Sequence, residues 1–169
     1  LFDEGMIRRF LPDDKWDSII YTAIAHHSDY ELPEISDPQT LLHAKLIRDE
    51  DKLDNCRVKL VDSTSTFINV SEEELGTQNI TQKIYETVFK NKCILSADRV
   101  TQMDYWVSYI VYFFDINFKE SFDIIAENDY LNRIIDRIPY SNPSTKKQMK
   151  KIRTYMQKFI NSHTGSRLS

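Results

Sequence analysis

Three glycines and five prolines are all that punctuate 169 residues, and this scarcity constrains the fold more than any other feature. Gly and Pro are the strongest local breaks in regular structure. Pro12 follows a first apolar piece, Leu-Phe-x-x-x-Met-Ile; Pro33 and Pro38 bracket one loop, and Pro139 and Pro143 another. Between these breaks apolar residues recur at steps of three and four, and no strand-like alternation persists long enough to build a sheet. The chain is therefore predicted to be all-α.

The spacing places a helix after Asp13 or Asp14, with Trp16, Ile20, Ala23 and His27 on one stripe. A second opens at Asp37 or Thr40. Residues 61–80 read as a loop with a short turn, in which Ser71 and Glu74 have capping-box spacing. Ile84, Val88 and Phe89 suggest a further helix, and a very apolar one runs from about Asp98 to Phe114. Shorter helices are expected around Phe122–Ala126 and Asp129–Ile138. The last, about Ser144 to Ile160, carries Met149, Ile152, Met156, Phe159 and Ile160 on one face.

A length of 169 residues with 41% hydrophobic content fits one domain with a sizeable core. The net charge of −4 gives no general reason to expect nucleic-acid or anionic-membrane partners. No apolar run is long enough to span a bilayer. Cys56 and Cys93 are too few for a disulfide framework or a cysteine zinc site, which makes a reducing cytoplasm the expected home. The chain opens at Leu1 with the apolar pattern already running, so an N-terminal part is expected to precede it.

Arg48–Asn55 carries Asp49, Glu50, Asp51 and Asp54 within six positions. On a helical wheel of Leu41–Val58, Lys45, Arg48 and Lys52 gather with Asp49 and Asn55, whereas Asp51 falls beside Ile47 and Val58, with Asp54 close by. A carboxylate among aliphatic residues needs a cation, a metal or a proton to compensate it. His27, on the inward stripe, is by itself either a satisfied core histidine or a ligand; His26 lies to one side. An inward imidazole and an inward carboxylate on successive helices form the kind of pair that a divalent metal collects. His43 is a weaker third candidate. No Gly-rich phosphate loop or nucleophile elbow exists. Lys146, Lys147, Lys150, Lys151 and Arg153 share a helix with an apolar face, so a solvated outer face is the better account of them. The aromatic run Tyr105–Phe118 reads as core, and would need a basic groove beside it to read as a stacking platform.

The segment Lys45-Leu-Ile-Arg-Asp-Glu-Asp-Lys-Leu-Asp54 resembles the closing motif of HD-domain metal-dependent phosphohydrolases, in which an Asp-Lys-Leu or Asp-Arg-Leu triplet completes a metal site. Ala23–His27 and Tyr30–Pro33 resemble the helix and loop that precede it in a bacterial branch of that superfamily. Asp104–Trp106, Asp115–Phe118 and the Lys-rich last helix are similar to the same branch. The resemblance implies an HD-domain-like helical bundle over residues 1–169, with metal-site helices in 1–60 and supporting helices in 80–161. It implies Asp51 as the closing metal ligand and His27 as a second-metal or phosphate ligand. Asp54, Asn55 and His26 would then stand behind the ligands or near the substrate. Asn55 matches an Asn near the substrate of alarmone hydrolases, although those have His where this chain has Asp54. The His-Asp doublet that names the superfamily is absent; in the family it comes before the point where this chain begins. The implied function is hydrolysis of a small phosphate ester, a nucleotide among the candidates, with Mn, Fe, Ni or Mg. The alternative is a non-catalytic module of the same fold that binds a nucleotide or a protein.

Overall fold

The computed structural model describes residues 1–164; residues 165–169, the end of the predicted domain, lie outside the described residues. Nine α-helices and no strand occur among the described residues, in the order α1 Asp17–Ala25, α2 Pro38–Val61, α3 Thr64–Phe67, α4 Glu72–Thr77, α5 Gln82–Val88, α6 Gln102–Val111, α7 Lys119–Glu127, α8 Tyr130–Asp136 and α9 Pro143–His163. Short 3-10 turns cover Met6–Arg9, Ser96–Asp98 and Tyr112–Asp115. No helix among the described residues is long and apolar enough to cross a membrane. Contacts divide the chain into two compact units, Leu1–Asp51 and Lys52–Ser169, so the dividing point falls within α2.

The second unit holds nearly all of the core. Met103, Trp106, Val107, Ile110 and Val111 of α6 are fully buried, and α6 packs against α4, α5 and α8, while α9 covers α7 and α8. The start of α6 is fixed by a capping box. The Thr101 hydroxyl accepts from the Asp104 N–H, and the Asp104 carboxylate accepts from the backbone N–H groups of Val100, Thr101 and Thr81 at 2.9–3.1 Å. This makes the apolar helix shorter than predicted. Val100, within the predicted helix, precedes the cap and is 78% exposed. The segment predicted as a loop over 61–80 instead contains α3 and α4. Ser71 caps α4 by accepting from the Glu74 N–H at 3.1 Å, and Leu75 of that helix is wholly buried. Asn142 caps α9 by accepting from Ser144 and Thr145, with Pro143 in the first turn.

The first unit is thinly packed. Ile7, Ala23, Thr40, Ala44, Arg48 and Asp49 are its buried residues among those described. α2 begins where Asp37 accepts from both the Thr40 N–H (2.7 Å) and the Thr40 hydroxyl (2.6 Å), bonds that hold its carboxyl below the ordinary carboxylate value.

Candidate functional site

α1 stops at Ala25. His26 is its C-cap, its N–H still donating to Thr22 O, and His27 lies in the turn beyond. The predicted stripe therefore loses its last member, because the helix ends two residues before His27. His27 is half-buried in the loop instead of inward on a helix. Both histidines are nevertheless held in a defined state. His27 Nδ1 is 2.7 Å from Ile24 O, and His26 Nδ1 is 2.6 Å from Asp29 Oδ2. A carbonyl or carboxylate oxygen can only accept, so Nδ1 carries the hydrogen in each ring. In the neutral form Nε2 then keeps its lone pair.

The loop carrying these rings is tied to α2 by Arg48, whose side chain is 2% exposed. Its Nη1 donates to His26 O at 2.9 Å, Asp29 O at 2.8 Å and, more weakly, His27 O at 3.4 Å. A guanidinium satisfying several loop carbonyls supplies the fixed geometry that a short irregular segment lacks. Arg48 stands three residues before Asp51, so the histidine loop is anchored to the turn of α2 that leads into the acidic motif.

The inner face of α2 differs from the predicted one. Arg48, Asp49, Lys52 and Lys59 are buried, whereas Asp51 and Asp54 are exposed. Asp49, expected to pair with lysines in water, is 2% exposed. Asp51, expected among aliphatic residues, needs no compensating charge in its exposed position. The buried cations have partners that spacing could not supply. In the second unit Lys52 Nζ pairs with Asp115 at 2.7 Å, and Lys59 Nζ lies 4.2 and 4.1 Å from the Phe67 and Tyr109 ring centres. Asp54 pairs with Arg57 one turn on at 2.8 Å, and half-buried Asn55 accepts from Lys59 at 3.4 Å.

Along the first unit α1 and the start of α2 enclose an open apolar groove of about 560 Å³, lined by Trp16, Ile20, Ile24, His43, Leu46 and Ile47 among others. His43 is exposed on this groove. Trp16 and Ile20, predicted to point into a core, face the groove instead. No group of three or more His, Cys, Asp or Glu side chains that could hold a metal occurs among the described residues. His27 Nε2 and the Asp51 carboxylate are donors of the chemical types that a mixed nitrogen and oxygen site uses.

Arg48 is the residue that sequence reasoning missed. The helical wheel puts Arg48 on the charged side of α2 with Lys45, Lys52, Asp49 and Asn55, and nothing in the spacing marks that side as the buried one. No family model, curated protein or solved structure matches the chain.

Proposed function

We propose that the protein is an HD-type metal-dependent phosphohydrolase acting on a phosphate ester, a nucleotide among the candidates. The observation that carries this reading is the tautomer of His27. Metal-binding imidazoles commonly donate the non-ligating ring N–H to a carbonyl or carboxylate, which fixes the ring and frees the other nitrogen. His27 donates to Ile24 O in this way, and His26 repeats the arrangement with Asp29. Arg48 holds the loop against α2, and Asp51 presents an exposed carboxylate one turn further along. In this reading His27 and Asp51 donate to the metal and His26 faces the phosphate side. Ligands beyond this pair are required. A divalent ion bound there would supply Lewis-acid polarisation of a phosphoryl oxygen.

Elemental analysis after loading with Mn or Ni and desalting tests the proposal. Asp51→Ala and His27→Ala should each lower retained metal at least tenfold while leaving the helical signal intact, since both side chains reach solvent. Metal retained equally by wild type and both variants would overturn the assignment.

The open apolar groove favours a second reading, a non-catalytic HD-like helical module for a protein or nucleotide, because large exposed apolar patches mark binding sites. Wild-type protein that retains no metal and turns over no phosphodiester would decide for that module.

A further inference from the structure

α9 concentrates positive charge in a protein that is acidic overall. Its 21 residues hold Lys146, Lys147, Lys150, Lys151, Arg153 and Lys158 and no acid, although the chain carries 26 Asp and Glu against 22 Lys and Arg. Among the described residues only Arg153 of the six is ion-paired, bidentately to Asp136. The buried stripe Thr145, Met149, Ile152, Met156 and Ile160 fixes the helix phase. The lysines Lys147, Lys150, Lys151 and Lys158 consequently share the outer face.

That face is not featureless. Lys150, Lys151 and Lys158 border a cleft of about 450 Å³ with Thr154, Tyr155 and Phe89. Phe89 is 37% exposed and meets Tyr155 edge-on at 5.0 Å between ring centres. The Tyr155 hydroxyl, 2.9 Å from Asn91 Oδ1 and 3.3 Å from Phe89 O, ties the loop after α5 to α9. This brings the chain of exposed Lys90 and Lys92, on either side of Asn91, to the same edge. Lys150 also borders a neighbouring cleft of about 460 Å³ with Lys146 and Tyr140, which extends the basic track toward the start of α9.

A row of lysines beside an exposed ring is the combination that holds an unpaired strand, with ammonium groups tracking the phosphates and an aromatic face stacking a base. A duplex or an acidic peptide would use the lysines but has no use for the ring. From these observations we infer that the outer face of α9 with Phe89 is a binding surface for single-stranded nucleic acid. The overall net charge gave no reason to expect such a partner, and its segregation onto one helix does. At a rise of 1.5 Å per residue Lys147 to Lys158 spans about 16 Å, the footprint of about four nucleotides. The surface lies in the second unit and the proposed metal donors in the first, so the two proposals fail independently.

The test is fluorescence anisotropy of the full chain with a labelled oligothymidylate of about 12 nucleotides, its duplex form and a poly-glutamate peptide, over a salt series. About four neutralised phosphates predict a log–log salt slope near −3 for the single strand. Lys150→Glu/Lys151→Glu should roughly halve that slope and weaken binding at least tenfold. Phe89→Ala should weaken binding about tenfold with the slope unchanged, and Phe89→Trp should restore it, with Trp fluorescence quenched on binding. That split separates stacking from a merely structural role for the ring. No measurable binding at low salt would overturn the inference. Duplex bound as tightly as single strand, poly-glutamate preferred to both, or the double lysine variant binding like wild type would each overturn it as well.

Discussion

Arg48→Met is the perturbation that most directly tests how the histidine loop is built. The native side chain makes two well-placed bonds to loop carbonyls, at 2.8 and 2.9 Å, and a third at the 3.4 Å margin. A bond to a charged donor contributes roughly 1.5–3 kcal/mol, so the two good ones set an upper limit near 6 kcal/mol. Two terms reduce it. Removing the guanidinium also removes the cost of burying its charge, and the freed carbonyls of a half-exposed loop can rehydrate. Met keeps the packing of the aliphatic stem. The net loss is therefore about 2–3 kcal/mol, confined to the loop, which corresponds to a roughly 30- to 150-fold fall in protection. Amide hydrogen exchange across residues 26–30 is the assay, because a global melt is dominated by the larger second unit. Arg48→Lys, which keeps a charge but has a shorter reach, should fall between the two. Unchanged protection over 26–30 in Arg48→Met would refute the anchoring argument, and so would a loss spread evenly over α6 and α9.

Two further expectations concern the second unit. The Gly76 carbonyl accepts from Ser141 and Asn142 N–H at 3.0 and 3.1 Å, and a β-carbon at Gly76 would fall on the Pro139 carbonyl group. Gly76→Ala should thus destabilise by about 2–3 kcal/mol in a urea melt despite the better helix propensity of Ala; an unchanged midpoint would show that 139–142 yields freely. Burial pushes the Cys56 thiol from its ordinary value of 9.0 up to about 12. Above pH 9 the unfolded state thus binds fewer protons than the native one, so this group costs stability as pH rises from about 9 to 12, by roughly 1 kcal/mol per pH unit. Cys56→Ala should lessen the alkaline fall in urea midpoint relative to wild type, and equal slopes in the two proteins would refute the effect.

What the sequence disclosed was the spacing of breaks. Prolines at 12, 33, 38, 139 and 143 set the junctions, and α7, α8 and α9 lie within a few residues of their predicted ends, because each carries an unmixed apolar stripe such as Met149, Ile152, Met156 and Ile160. α6 began later than predicted because a cap outranks a hydrophobic residue, and Thr101 with Asp104 excludes Val100. Helix existence was thus a matter of local pattern, and helix boundaries of local hydrogen bonding.

The candidate site rests on a quantity that local pattern does not contain, namely the phase of α2. A wheel assigns charge outward, and on that rule Arg48, Asp49 and Lys52 belong in water while Asp51 turns inward. The rule fails because burial of a charge depends on its partner, and the partners of α2 come from elsewhere in the sequence. Arg48 is received by three loop carbonyls, Lys52 by Asp115, and Lys59 by the faces of Phe67 and Tyr109. Each arrangement satisfies a cation while its aliphatic stem packs like an apolar side chain, so the charged face serves as the inner one. The consequence for function is direct. An Asp51 held inward would need a compensating ion to keep the fold, and metal and stability would be lost together. An exposed Asp51 separates the two, so under the proposed metal reading its substitution should remove metal and leave the helix standing, whereas substitution of Asp49 acts on the fold. Equal effects of the two substitutions on metal retention and on urea stability would refute this phase of α2.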